Sequence, residues 1–112
     1  MRKGLLVETK YCSGCHSCEV ACRNEHGFSP DQFGIKVNEV GPFVVDEATD
    51  HYVWNYTPVV TELCDLCGHR VAKGEKPACV HHCLADAIHY GSLDELSEEM
   101  DRMGSNAYVM IP

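Results

Sequence analysis

The chain has 112 residues, 45% hydrophobic and 23% charged, with a formal net charge of −8 from 9 basic and 17 acidic side chains. A chain of this length makes one small domain that buries only roughly two thirds of its unfolded surface, so it is helped by staples or bound metal. The acidic balance offers no basic stripe for nucleic acid, and no apolar run approaches the roughly 18 residues of a membrane span.

Gly4 to Thr9 is short and apolar and reads as a strand. The start, Met1-Arg2-Lys3-Gly4-Leu5-Leu6-Val7, reaches Glu8 too early for a signal-peptide apolar region, and no twin-arginine pair precedes it. A cytoplasmic, reducing compartment is therefore expected, where cysteines bind metal rather than form disulfides.

The eight cysteines fall in two groups of four. Cys12, Cys15, Cys18 and Cys22 read C-x2-C-x2-C-x3-C, the bacterial ferredoxin spacing for a [4Fe–4S] cluster without the usual proline after the fourth cysteine. Cysteines spaced by two residues can wrap a tight loop around one cube, and Gly14 supplies backbone freedom for the wrap. Ser17 is expected to cap a short helix, Cys18 to Asn24. On that helix Cys18 and Cys22 share a face about 6 Å apart along the axis, enough for each sulfur to serve a different cluster.

Glu25 to Thr61 separates the groups. Gly27, Ser29, Pro30, Asp31 and Gly34 are loop signals. Ile35, Val37, Glu39 and Phe43 to Val45 suggest one extended arm, Asp46 to Asp50 a turn, and His51 to Val60 the returning arm, so a β-hairpin insertion is predicted within about residues 26–60. Tyr52, Trp54 and Tyr56 alternate and share a face of the strand; packing in the core or cover over a cluster is the expected use of that face.

Cys64, Cys67, Cys79 and Cys83 read C-x2-C-x11-C-x3-C. The same pattern recurs with the stretch Gly68 to Ala78 inserted, so the chain reads as a degenerate repeat of loop and short helix. Following two-cluster ferredoxins, in which the fourth cysteine of a run ligates the other cluster, Cys12, Cys15, Cys18 and Cys83 are assigned to one cluster and Cys64, Cys67, Cys79 and Cys22 to the other. Two structural zinc sites are the rival reading, since C-x2-C pairs also make zinc knuckles. Both tetrads are full, so no thiol remains as a nucleophile, and His16, His81 and His82 read as groups around the ligands or on the surface.

Ala87 to Tyr90 reads as a strand. Ser92-Leu93-Asp94-Glu95 is a capping box opening a helix to about Met103, with Leu93, Leu96, Met100 and Met103 as its buried stripe and Gly104 as its stop. The acidic run Asp94, Glu95, Glu98, Glu99 and Asp101 is its solvated face. Ala107 to Ile111 closes as a strand.

Cys12-Ser13-Gly14-Cys15-His16-Ser17-Cys18-Glu19-Val20-Ala21-Cys22-Arg23-Asn24-Glu25 resembles the first cluster motif of the iron–sulfur subunits of the DMSO reductase family. Cys64-Asp65-Leu66-Cys67, Arg70, Gly74 and Pro77-Ala78-Cys79-Val80-His81-His82-Cys83 resemble a later motif of the same subunits, and Ala85 to Gly91 continues the likeness. The resemblance covers about half the chain and implies an electron-transfer subunit docked on a larger catalytic oxidoreductase subunit, typically a molybdopterin one. Longer members carry four motifs where this chain has two, and Leu84 stands where a proline usually follows the last cysteine. A flavin subunit as partner and a free diffusible ferredoxin are the alternatives.

The expected architecture is α+β and ferredoxin-like: one domain, 1–112, holding two [4Fe–4S] clusters on a pseudo-twofold repeat with a β-hairpin insertion. The expected function is one-electron transfer without an active site of its own. Partners are the larger oxidoreductase subunit, with no nucleic acid and no membrane span. The hairpin aromatics Phe33, Phe43, Tyr52, Trp54 and Tyr56 are the candidate docking surface, set against a role in the protein's own core.

Overall fold

The computed structural model describes residues 2–104 and 106–112. Its elements are β1 (Lys3–Glu8), α1 (Ser17–His26), β2 (Ile35–Asp46), β3 (His51–Val60), α2 (Gly68–Val71), α3 (Ala78–His81), β4 (Ile88–Ser92), α4 (Leu93–Met103) and β5 (Ala107–Met110). They form a small α+β fold with two sheets, compatible with a ferredoxin-like one. Among the described residues no helix is long and apolar enough to cross a membrane.

β1 is the middle strand of a three-stranded antiparallel sheet ordered β4-β1-β5. Its Leu5, Leu6 and Val7 are all buried because both faces of the sheet are covered. Leu5 and Val7 point one way and join Cys18, Cys22, Cys79, Val80, Ile88 and Met110 in the core. Leu6 points the other way, toward the side on which α4 packs against β1 and β4. The sheet thus separates a helix layer from a sulfur-rich layer.

α4 starts where the sequence places it. Ser92 Oγ accepts from Glu95 N at 3.3 Å, and Ser92 N donates to Glu95 Oε1 at 3.2 Å, completing the capping box. Of the expected stripe only Leu96 is buried; Leu93, Met100 and Met103 remain half-exposed, because a three-stranded sheet is too narrow to cover the whole helix face.

α1 differs at its start from the expectation. Ser17 is its first residue, and the cap position falls to His16, whose side chain makes no capping hydrogen bond. The helix continues past Asn24 to His26 and ends on Gly27, whose φ of 68° lets its N–H reach Arg23 O.

β2 and β3 pair antiparallel from Ile35↔Val60 to Asp46↔His51, with a register shift where Gly41 and Pro42 interrupt the ladder. Only the base of this hairpin is packed: Ile35, Val37 and Pro58 are buried. Buried Glu19 anchors it to α1, accepting from Val37 N at 2.5 Å with Lys36 Nζ at 3.8 Å. Tyr108 O–H donates to Pro58 O at 2.6 Å, tying β3 to β5. The far end stands clear, with Tyr52 and Trp54 each 57% exposed and Phe43 51%. Of Tyr52, Trp54 and Tyr56, expected to pack in the core or cover a cluster, only Tyr56 packs against the core; the arm carries the other two beyond its reach. The projection lengthens the molecule to 52 Å and raises its radius of gyration to 14.9 Å, against about 13 Å for a compact chain of similar length.

Candidate metal centres

Two cavities lie in the sulfur-rich layer, and the eight cysteines divide between them. The first is lined by Cys12, Cys15, Cys18 and Cys83 together with Val37, Pro58 and Ile88. The second is lined by Cys22, Cys64, Cys67 and Cys79 together with Leu5, His26, Ile35, Val60 and Pro77. Each cavity takes three cysteines from one motif and one from the other. The exchange follows from the helix: Cys18 and Cys22 are one turn apart on α1, and α3 packs against α1 to present Cys79 and bring Cys83 across.

The approach loops turn through unusual backbone. Gly14 and His16 have φ of 72° and 63° in the first loop, and Leu66 and Cys67 have 59° and 52° in the second. Side chains other than glycine are uncommon in this region, and such residues concentrate at ligand clamps. In these loops the Gly14 backbone N–H is directed to Cys12 and that of Leu66 to Cys64, and from the residue ahead of β2 the Gly34 N–H is directed to Cys22. Ala78 N donates to Cys67 Sγ at 3.5 Å and Ala87 N to Cys83 Sγ at 3.4 Å. The eleven-residue gap folds into α2 and a loop held by Arg70, which donates to Lys76 O and Glu25 Oε1, both at 2.8 Å, and pairs with Glu75 at 3.3 Å. Its grip on Glu25 fastens the second motif to the end of α1.

Burial pushes the Cys18 thiol up to about 12 and the Cys22 thiol up to about 11, and it raises Cys12, Cys64, Cys67 and Cys79 as well. Neighbouring sulfurs act in the same direction, Cys12 and Cys83 on Cys18, and Cys67 and Cys64 on Cys22. Cys15, at the exposed edge, is lowered by its hydrogen bond with Ser17. Buried thiols facing one another across an apolar cavity become thiolates together only when a cation neutralises them. Four soft sulfur donors per cavity, apolar walls and N–H groups aimed at sulfur suit an iron–sulfur cluster.

His16, His81 and His82 line neither thiol set as a fifth donor: His16 lies at the rim of the first cavity, and His81 and His82 are exposed. The histidine that does reach one of these cysteines lies outside both cysteine motifs. His26 Nε2 lies 3.2 Å from Cys67 Sγ, and His26, Asp65 and Cys67 have ligating atoms within 4.8 Å of one another. The one sequence signal for it is spacing, since His26 is four residues beyond Cys22 and so on the same helix face.

Gly34 provides a local test. A Cβ there would stand 2.5 Å from Cys22 Sγ and 3.2 Å from the Phe28 ring. Gly34→Ala should displace the Cys22 sulfur and empty the second cavity of metal while leaving the first filled, an overpacking penalty of about 1–3 kcal/mol borne at one ligand. Metal content per chain checks it; an unchanged content would contradict the geometry.

No family model matches the chain. A Halobacterium salinarum protein named as an iron–sulfur subunit of dimethyl sulfoxide reductase is 34% identical over 93 residues, covering 80% of this chain and 32% of that one. A component of the anaerobic dimethyl sulfoxide reductase of Escherichia coli is 28% identical over 85% of this chain and 34% of its own length. A component of the polysulfide reductase of Wolinella succinogenes is 19% identical, over 97% of this chain and 86% of its own. The chain thus spans about a third of the first two relatives. Over most of its length it is similar to iron–sulfur subunits of the DMSO reductase family, well beyond the cysteine motifs alone.

Proposed function

We propose that the chain is an electron-transfer subunit holding two [4Fe–4S] clusters, one on Cys12, Cys15, Cys18 and Cys83, the other on Cys22, Cys64, Cys67 and Cys79, and that it serves a larger oxidoreductase. The observation that carries this reading is the division of the eight cysteines into two cavities with one ligand exchanged. The paired modules, loop 9–16 with α1 and loop 61–67 with α2 and α3, support a pseudo-twofold repeat within one domain interrupted by the hairpin.

A [4Fe–4S] cluster held by four thiolates supplies reversible one-electron transfer. The residues do the rest. The cysteines fix position, Leu5, Ile35, Val37, Ile88 and Pro58 keep water from the sulfurs, and backbone N–H groups stabilise negative charge on them. α1 carries a ligand of each set one turn apart, so an electron crosses between centres over a short path.

The relatives are named as parts of reductases, which supports docking on a larger catalytic subunit; the family resemblance favours a molybdopterin one. The exposed end of the hairpin, with Phe43, Tyr52 and Trp54, is the surface we assign to that subunit. Native anaerobic purification tests the reading. A brown chain should co-elute with a larger, molybdenum-containing subunit and bleach reversibly on one-electron reduction. A colourless zinc protein would contradict the clusters; a brown monomer would contradict the docked subunit.

A further inference from the structure

We propose that His26 sets the reduction potential of the centre on Cys22, Cys64, Cys67 and Cys79 by donating its Nε2–H to Cys67 Sγ. This rests on the cluster reading above and adds a positioning residue to it. Apart from the cysteines, His26 is the one ionisable residue among those described that lines the second cavity. Its Nε2 stands 3.2 Å from Cys67 Sγ and 3.6 Å from Asp65 Oδ1. Both are acceptors once Cys67 is a thiolate, so the ring nitrogen between them carries the proton. Asp65 Oδ1 also accepts from Cys67 N at 2.9 Å, closing a ring of contacts around that ligand.

The imidazole is held in this pose from three sides. It sits in the last turn of α1, four residues after Cys22, so one helix face delivers both a ligand and a donor. The Phe28 ring stacks on it at 5.2 Å and 15°. His69 meets it edge-on at 5.3 Å and 87°, and His69 is fixed by Glu25 at 3.0 Å, itself gripped by Arg70. The His26 side chain is only 13% exposed, so water does not compete strongly for the bond.

An added electron increases negative charge on the ligand sulfurs. A donor aimed at sulfur is therefore worth more in the reduced state and raises the potential of that centre. His26 does not line the other cavity, so the effect is confined to one centre and the other serves as an internal reference.

The test compares wild type with His26→Phe and His26→Gln in anaerobic redox titrations followed by electron paramagnetic resonance, after iron and sulfide assay. In His26→Phe the reduced-to-oxidised ratio of one centre should fall about tenfold at a given ambient potential, a shift of about 59 mV for one electron, while the other centre is unmoved. His26→Gln, which keeps an N–H donor, should recover part of the shift. A loaded His26→Phe protein with both centres unmoved, or both moved equally, overturns the proposal. If His26→Phe does not load, pulsed resonance on reduced wild type grown with 15N-histidine decides: ring-nitrogen coupling on one centre that disappears in His26→Gln supports it, and its absence overturns it. A wild type without iron and sulfide overturns the cluster reading itself and is recognised before any potential is read.

Discussion

Removing the metal should melt the protein: the apo chain is expected to show no cooperative thermal transition by far-ultraviolet circular dichroism. The core explains why. Cys18, Cys22, Cys67 and Cys79 are themselves buried core residues, and of the apolar side chains clustered with the buried cysteines, Leu5, Ile35, Val37 and Ile88 also line the two cavities. α2 and α3 have four residues each, far too few to be helical alone. The approach loops hold His16, Leu66 and Cys67 in left-handed backbone, which costs about 1–3 kcal/mol at each such residue unless the surroundings enforce it. In a domain whose net stability is about 5–15 kcal/mol, these terms leave little once the thiols lose their cation. Folding free energy is then mostly metal-binding free energy. A sharp, native-like melt of the apo chain would contradict this.

Single cysteine substitutions should sort by cavity, not by motif. Cys22→Ala is expected to abolish the centre of the second motif and spare that of the first, although Cys22 belongs to the first run of four. Cys83→Ala should do the reverse. Each loses about half of the iron, and the surviving spectrum identifies which centre remains. Substitutions at Cys12, Cys15, Cys18 and Cys83 should share one residual spectrum, and those at Cys22, Cys64, Cys67 and Cys79 the other. Grouping by motif, with Cys22 behaving like Cys12, would refute the exchanged arrangement.

Much of this is legible in the residues because it rests on local rules. The four-residue spacing 18–22 places two sulfurs one turn apart on α1, whereas at 79–83 α3 ends at His81 and leaves Cys83 in the loop beyond it; Ser92 with Glu95 encodes the start of α4. Alternating β-branched and aromatic residues mark both hairpin arms. What stays hidden depends on tertiary context. The cap expected at Ser17 is lost because the loop must turn through His16 to aim Cys15 and Cys18, so Ser17 becomes the first helical residue with its hydroxyl 3.4 Å from Cys15 Sγ. α2 forms inside the gap because Arg70 finds Glu25 on a distant helix. Tyr52 and Trp54 share a face with Tyr56, but the length of the arm, which alternation does not encode, carries them away from the core. His26 carries meaning only once Cys67, 41 residues later, folds against it.

The central claim is that two full sets of cysteine ligands each hold a four-iron cluster. Its most direct test is the iron and acid-labile sulfide content of anaerobically purified wild type. The account predicts about eight of each per chain; about four of each, or stoichiometric zinc without sulfide, would contradict it.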